Sequence, residues 1–191
     1  MNINPISFGK KIPLARCKVL DNQKQEFVDA TFFEYDCKDH KDSIEVSYLS
    51  GKWAFRQTIA TGMERKFRRH LRGKFQEPYV YYGLQRDDGK ILGLCNTCEN
   101  HTTTDIEYIT RDLSLDYRYI GQTMLAQLAK QTLVDNKKQL VIRNATNENQ
   151  DLYEYCGFKM VNDRCSDMIM GRNEMRDFVV DVEDRTKCSI F

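Results

Sequence analysis

The chain has 191 residues, of which 41% are apolar and 30% are charged, and its formal net charge at pH 7 is +1. This length and composition predict one soluble globular domain that buries roughly 70% of its unfolded surface. The near-neutral charge argues against a general affinity for nucleic acids or membranes, and no apolar run approaches the length of a transmembrane helix. Seven cysteines, with no apolar leader within Met1–Lys10, indicate reduced thiols and a cytoplasmic protein.

The first third of the chain shows strand patterns followed by helix patterns. Residues Ile12–Leu20 and Glu26–Tyr35 are predicted strands, connected by the polar turn Asp21–Gln25. Asp42–Glu45 has the form of a capping box, which predicts a helix that ends near Gly51. A second helix is predicted from apolar residues at four-residue steps, which are Phe55, Ile59, Met63, Phe67 and Leu71.

The middle of the chain predicts a hairpin, a strand and a long helix. Tyr79–Gln85 and Lys90–Asn96 flank Arg86–Gly89, which is typical of a tight β-turn. The next strand starts at Thr104. Alternation predicts two faces for it, with Ile106, Tyr108 and Thr110 on one and Glu107 and Ile109 on the other. The helix then runs to about Asn136, and its apolar side consists of Met124, Leu125, Leu128, Leu133 and Val134.

The last third predicts a short strand, a helix and two more strands. Gln139–Asn144 is the short strand, and Asn147 is predicted to cap the following helix. Phe158–Val161 and Asp167–Gly171 are the last predicted strands, whereas the charged tail Arg172–Phe191 gives no clear pattern. Strands that alternate with helices around a mixed sheet predict an α/β or α+β fold.

Between the strand at Thr104 and the long helix lies the segment Arg118–Thr123, with the sequence RYIGQT. The glycine in it allows the backbone to approach a ligand closely. The free N–H groups in the first turn of a helix attract anions. The segment therefore predicts a phosphate-binding turn without a Walker pattern.

The spacing R-x-x-G-x-T at Arg118–Thr123 resembles the pyrophosphate loop of the GNAT superfamily of N-acetyltransferases, usually written Q/R-x-x-G-x-G/A. Leu152–Phe158 resembles the second signature of that family, L-Y-E-x-x-G-F. The resemblance covers Tyr79–Gly171 by sequence, and the first third of the chain only by topology. It implies a single N-acetyltransferase domain over residues 1–191, with a mixed, mostly antiparallel central sheet flanked by helices.

The resemblance also implies acetyl-CoA as the co-substrate, direct transfer of its acetyl group to an amine of a small molecule or a protein, and no metal. The residues implied to contact the cofactor are Leu113, Arg118, Tyr119, Ile120, Gly121, Gln122, Thr123, Asn144 and Asn147. Thr123 stands where the family prefers Gly or Ala, so its side chain would either crowd a phosphate or donate a hydrogen bond to one. Backbone N–H groups near Asp112–Ser114 are implied to face the thioester carbonyl, although Arg111 and Asp112 are charged where family members are mostly apolar.

Two catalytic groups follow from the resemblance. Glu107 lies eleven residues before Arg118, an offset that resembles the glutamate base of some protein-acetylating members; a structural role, or deprotonation by another group or by water, is the alternative. Tyr153, four residues before Gly157, matches the family tyrosine that protonates the departing thiolate, with Tyr155 as the second choice. A phenol with a pKa of about 10 can donate its proton to a thiolate whose thiol has a pKa of about 8.5, more easily when the two are hydrogen-bonded early.

Two other functions remain open. The departures at Arg111, Asp112 and Thr123 would fit a CoA-binding sensor that has no activity. The basic patch Arg65–Lys74 would fit an RNA-linked acceptor, although the balanced net charge makes nucleic acid an unfavoured partner; no membrane partner is expected, and the oligomeric state is left open.

Two cysteine patterns are discounted. Cys95 and Cys98 resemble half of a zinc site with His101, and Cys37 and His40 would have to complete it, but residues three apart on a strand point to opposite faces. The last four residues, Cys188–Phe191, have the form of a prenylation box, but acidic rather than basic residues precede them.

Overall fold

The computed structural model describes residues 11–36, 79–162 and 165–187, together with the single residues Glu45, Leu49, Trp53, Gly62, Arg65 and Arg69. Several sequence predictions lie outside the described residues: most of the capping box, the apolar stripe from Phe55 to Leu71, Cys37, His40 and the terminal Cys188–Phe191. Of the basic patch Arg65–Lys74, only Arg65 and Arg69 are described, and both are exposed.

The described residues form one sheet of nine strands. In chain order these are β1 Ile12–Asp21, β2 Glu26–Glu34, β3 Tyr79–Arg86, β4 Ile91–Glu99, β5 Thr103–Arg111, β6 Tyr117–Arg118, β7 Gln139–Ile142, β8 Lys159–Asn162 and β9 Cys165–Gly171. Their order across the sheet is β6-β1-β2-β3-β4-β5-β7-β9-β8. Every neighbouring pair is antiparallel except β5 and β7, which are parallel. The predicted mixed, mostly antiparallel sheet is therefore confirmed.

Three helices have described boundaries: α1 Ile120–Val134, α2 Asn147–Tyr155 and α3 Arg172–Lys187. Met124, Leu125 and Leu128 of α1 are buried as predicted, but Val134 is 77% exposed because it is the last residue of the helix and extends past the core. None of the helices in the described part of the chain is both long and apolar enough to cross a membrane.

The two faces of the sheet carry separate apolar clusters. The larger cluster joins the sheet to the buried sides of all three helices, and it includes Ile106, Leu128, Tyr153 and Met175. The smaller cluster is rich in aromatic residues and consists of Phe33, Tyr35, Leu49, Trp53, Tyr79, Tyr81, Ile91 and Leu94. The helix α1 packs so closely on β4 that a Cβ at Gly93 would lie 2.6 Å from the sulfur of Met124. This close packing fixes the position of the N-terminal end of α1 against the sheet.

The tail that gave no clear pattern in the sequence forms α3 along most of its length. Its buried residues Met175, Phe178, Val179 and Val182 follow the spacing i, i+3, i+4, i+7 of an amphipathic helix. The sequence contains that spacing, but the charged residues between the apolar ones made it hard to recognise.

A β-bulge in β5 changes the predicted assignment of side chains to faces. Asn96 of β4 pairs with Tyr108, whereas the next residue, Thr97, pairs with Ile106, so Glu107 is the extra residue. As a result Ile106 and Ile109 both contact the larger cluster, while Tyr108 packs against the smaller one. The prediction that Ile106 and Tyr108 share a face is wrong, because simple alternation does not hold across a bulge.

The strands β5 and β7 separate halfway along β5. Their pairing runs from Thr103 and Gln139 to Ile106 and Ile142, and the amide of Arg143 donates to the Ile106 carbonyl at 2.9 Å. Beyond this point β5 continues to Arg111, and no described strand pairs with that edge. The sheet therefore opens between the second half of β5 and the start of α2.

Replacing Met175 by Ala tests whether α3 is part of the core. Its side chain is fully buried, so we expect a loss of about 2–5 kcal/mol in the free energy of unfolding, as for other buried methionines. The matched control is Val180→Ala, because Val180 lies on the same helix but is 55% exposed, and it should cost less than about 0.5 kcal/mol. Denaturant unfolding measures both values, and equal losses would contradict the packing of α3.

Candidate active site

The first turn of α1 presents backbone N–H groups at the opening of the sheet. Tyr119 precedes the helix in the left-handed region, with φ 65°, and the first turn contains no acidic residue. The amide of Thr123 donates to the Tyr119 carbonyl at 2.8 Å and so begins the helical hydrogen bonding. The amides before it, from Ile120 to Gln122, have no partner within the helix. This turn therefore has the polarity that attracts an anion.

A cleft of about 330 Å³ lies against this turn, and we call it the α1 cleft. It is bounded by β5, α1 and α2, with Ile109, Arg118, Gly121 and Tyr153 among its lining residues. Apart from its chain neighbours and the backbone of α1 itself, no atom lies within 4 Å of the position that a Cβ at Gly121 would occupy, so the backbone here is open to a ligand. Two exposed arginines, Arg111 and Arg118, line the same cleft and add positive charge to it.

Thr123 lies on the far side of α1 from the cleft. Its side chain is buried, and its hydroxyl donates to the carbonyl of Lys18 in β1 at 3.2 Å. It therefore neither crowds a phosphate nor donates to one, and both expectations for its side chain are wrong. The reason is that Thr123 lies on the side of α1 that faces the sheet.

An aromatic and cationic stack holds Tyr119 in place. Phe27 lies parallel to the Tyr119 ring, with 6.2 Å between the ring centroids. The guanidinium carbon of Arg185 in α3 lies 5.9 Å from the centroid of Tyr119 and 5.3 Å from that of Tyr155. These contacts offset the cost of a left-handed backbone at a residue other than glycine, which is about 1–2 kcal/mol. Tyr155 is 65% exposed and belongs to this stack rather than to the lining of the α1 cleft.

Two of the three amides predicted to face a thioester carbonyl already have hydrogen-bond partners. The amide of Asp112 donates to the Leu92 carbonyl at 2.9 Å, and that of Ser114 donates to Oδ1 of Asp112 at 2.9 Å. Leu113 lies in the same turn and lines a separate cavity beside Asn22, not the α1 cleft. The prediction is therefore wrong for the amides of Asp112 and Ser114, because the first bonds to β4 and the second to the side chain of Asp112.

The open edge of β5 provides other amides. Successive amides of an antiparallel strand point to opposite edges. Since the amide of Asp112 points to β4, the amides of Arg111 and Ile109 point to the edge that β7 leaves. Both residues line the α1 cleft.

Tyr153 is fixed by the way α2 ends. Gly157 has φ 96°, the Phe158 amide donates to the Tyr153 carbonyl at 3.0 Å, and the Gly157 amide donates to the Glu154 carbonyl at 2.9 Å. This is a Schellman motif, in which the residue after the glycine packs against the helix. The rings of Phe158 and Tyr153 accordingly meet edge to face, with centroids 6.0 Å apart. Tyr153 is 8% exposed and lines both the α1 cleft and a second cavity.

This second cavity, of about 320 Å³, connects Tyr153 with Glu107, and we call it the central cavity. Glu107 is half-buried on the bulge, and the Tyr79 hydroxyl lies 3.5 Å from its Oε1. The structure thus brings both predicted catalytic residues to one cavity.

The two predicted asparagines have different positions. Asn144 has φ 53° and lines the central cavity. Asn147 is exposed, is not among the lining residues, and is the first residue of α2 after the cap Thr146. The predicted capping role of Asn147 is therefore wrong: the N-cap position is Thr146, whose side chain makes no capping hydrogen bond. Asn149 lines both cavities instead, and sequence reasoning missed it, although it lies one helical turn before Tyr153 and so on the same face.

A third cavity, of about 540 Å³, shares Glu107, Arg143 and Asn144 with the central cavity, and we call it the acidic chamber. Its other described lining residues are Cys98, Asn100, Asp105 and Asp167. Burial raises the pKa of Asp167, but the amide of Asn144 and the guanidinium of Arg143 outweigh it and lower that pKa. Asp167 is therefore a carboxylate at neutral pH.

The cysteines of β4 lie on opposite faces of the sheet, as predicted. Cys95 belongs to the larger cluster, where burial raises its pKa, and Cys98 packs against the smaller one. Among the described residues, no three His, Cys, Asp or Glu side chains are arranged to hold a metal ion.

Replacing Thr123 by Val tests the position of this residue. The substitution keeps the volume but leaves the Lys18 carbonyl without its hydroxyl donor, so we expect a loss of about 1–3 kcal/mol in the free energy of unfolding. Anion binding at the first turn of α1 should not change. Denaturant unfolding and titration with inorganic pyrophosphate measure the two effects, and weakened binding at unchanged stability would place Thr123 in the site.

No protein-family model and no curated protein matches the sequence, but solved structures share its fold. The spermidine N-acetyltransferase of Vibrio cholerae, solved with CoA and spermine, has a TM-score of 0.55 at 14% identity, and the match covers 77% of this chain and 98% of that one. Tetrahymena GCN5 has a TM-score of 0.53 at 9% identity, and the match covers 70% of this chain and 89% of that one. A protein of Desulfovibrio desulfuricans assigned to the GNAT family has a TM-score of 0.56 at 15% identity, and the match covers 73% of this chain and 96% of that one. The chain has the fold of the GNAT acetyltransferases.

Proposed function

We propose that the protein is an N-acetyltransferase that moves an acetyl group from acetyl-CoA directly to an amine. The observation that carries this proposal is the continuity of the site. The α1 cleft joins an anion-attracting helix turn at Gly121 to Tyr153 and, through the central cavity, to Glu107. The similarity in fold to a spermidine N-acetyltransferase solved with CoA supports an amine acceptor.

The charge of the α1 cleft suits the pyrophosphate of CoA. The amides from Ile120 to Gln122 would donate hydrogen bonds to the phosphate oxygens, and Arg111 and Arg118 would lower the cost of bringing negative charge there. The pantetheine arm would then lie along the free edge of β5, with Asn149 on the opposite wall.

The open β5 edge supplies the transition-state stabilisation. Attack on the thioester puts negative charge on the carbonyl oxygen, and the amides of Ile109 and Arg111 face the edge along which it would lie. A preorganised amide at such an oxygen contributes on the order of 3 kcal/mol.

The proton steps use the central cavity. The acceptor arrives as an ammonium ion with a pKa of about 10.4, and Glu107 takes its proton directly or through one water. The nitrogen then bonds to the carbonyl carbon and releases its second proton to solvent, the carbon–sulfur bond breaks, and the electron pair leaves with the sulfur. Tyr153 gives its proton to that thiolate and regains one from solvent.

The non-catalytic alternative loses most of its support in this structure. Of the three departures that favoured a sensor, Thr123 and Asp112 lie outside the α1 cleft, and Arg111 lines it as a cation. An RNA-linked acceptor is the other alternative, and the two described residues of the basic patch, Arg65 and Arg69, are exposed.

Gly121→Ala tests the cofactor half of the proposal. Because the position is open and alanine favours helix by up to about 1 kcal/mol over glycine, we expect the melting temperature of the free protein to stay equal or rise. The methyl group would occupy the phosphate position, so CoA should bind at least tenfold more weakly. Calorimetric titration with CoA measures this, with Thr123→Val as the matched control. Equal CoA affinity in the parent and Gly121→Ala would refute a phosphate site at the first turn of α1.

Glu107→Gln and Tyr153→Phe test the proton steps. Glu107→Gln removes the base, so kcat/KM for an amine should fall about 10²–10⁴-fold near neutral pH. This loss should shrink at high pH, where more amine arrives deprotonated. Tyr153→Phe removes the acid, so kcat should fall at all pH values while CoA affinity stays the same. Full activity of Glu107→Gln across the pH range would assign Glu107 a structural role.

A further inference from the structure

The acidic chamber lies at the opposite end of the site from the α1 cleft. It shares Glu107 with the central cavity and extends past it to Asp105 and Asp167. With three carboxylates and one arginine, its described lining has a formal charge of −2, whereas the α1 cleft carries Arg111 and Arg118. The site thus changes from positive to negative along its length, and the proposed reaction uses only the part up to Glu107.

Among the described lining residues of the chamber, the one cation is Arg143, and it bonds to both aspartates. Arg143 donates from Nε and Nη2 to Oδ2 of Asp105 at 3.0 and 2.7 Å, and from Nη1 to Oδ2 of Asp167 at 2.6 Å. Oδ1 of Asp167 accepts the amide of Asn144 at 2.9 Å. These bonds account for every carboxylate oxygen of the two aspartates except one.

The remaining oxygen is Oδ1 of Asp105. The Asp105 side chain is 8% exposed, and this oxygen is buried without a hydrogen-bond partner, although the other oxygen also accepts from Asn100 at 3.2 Å. A buried carboxylate oxygen with no donor is costly and needs an explanation. A ligand N–H donor with a positive charge would supply both the hydrogen bond and the missing countercharge.

The spacing of the chamber fits the proposed reaction. Asp105 and Glu107 are two residues apart on β5, which corresponds to roughly 7 Å along a strand and to an alkyl chain of about four to six methylenes between two nitrogens. An amine at Glu107 could therefore carry a second nitrogen that reaches Asp105.

We propose that the acidic chamber binds a second cationic group of the acceptor, so that the preferred substrates are aliphatic diamines or longer amines with two or more positive charges. This proposal rests on the proposed acetyl transfer and specifies its acceptor. The nitrogen near Glu107 is acetylated, while the distant ammonium stays protonated and donates to Asp105.

The experiment compares 1,5-diaminopentane with 1-aminopentane, which has the same chain length and lacks the second charge. We expect kcat/KM of the parent protein to be at least tenfold higher for the diamine. Asp105→Asn preserves the shape and removes the charge, and it should reduce this ratio at least fivefold. The matched control is Asp87→Asn, which removes a carboxylate from the exposed β3–β4 turn and should leave the ratio unchanged.

A binding measurement keeps the proposal independent of turnover. Calorimetric titration of the CoA-saturated protein should show tighter binding of the diamine than of the monoamine, and Asp105→Asn should remove the difference. If Asp105→Asn does not fold, Asp167→Asn replaces it in both measurements. Equal binding of the two amines by the parent, or an unchanged preference in the folded variant, would overturn the proposal. Diamine binding that depends on Asp105, without acetylation of either amine, would instead refute the proposed acetyl transfer and leave the cation site in place.

Discussion

The separation of β5 from β7 at Ile106 is the constraint on which the rest of the site depends. Up to this residue the parallel pair is continuous; beyond it the edge of β5 is open to the α1 cleft. Arg143 marks the point of separation, because its backbone amide bonds to Ile106 and its side chain joins Asp105 of β5 to Asp167 of β9. The network that holds three strands together therefore also forms a wall of the acidic chamber.

Three backbone irregularities direct side chains into this opening. The bulge at Glu107 moves that residue out of regular alternation, the left-handed Tyr119 starts α1 at the cleft, and the left-handed Gly157 ends α2 with Phe158 under Tyr153. Each irregularity costs conformational free energy, of order 1 kcal/mol or less for glycine and more for other residues. Packing compensates for it, through Phe27 and Arg185 around Tyr119 and through Phe158 against Tyr153.

The electrostatics of the site follow its shape. One end has helix amides and arginines, the other has carboxylates, and Tyr153 and Glu107 lie between them. Such an arrangement would bring a polyanionic cofactor and a cationic acceptor together from opposite sides and would keep each from binding in the other's place. The balanced net charge of +1 conceals this separation completely.

The sequence by itself determined the elements whose signals are local. The strands other than β6, the hairpin turn at Gly89, the glycine turn at Gly121 and the Leu152–Phe158 signature were predicted because turn and cap conformations depend on neighbouring residues. That signature proves to be a helix end, with a physical reason for its glycine and its final aromatic residue. Only the tertiary structure decided where β7 leaves β5, that Glu107 sits on a bulge, that Thr123 faces β1 and that Asp105 joins Asp167 across Arg143. These features depend on contacts between segments that are far apart in the chain. Strand register and burial that arise from such contacts produce no periodic pattern in a single sequence.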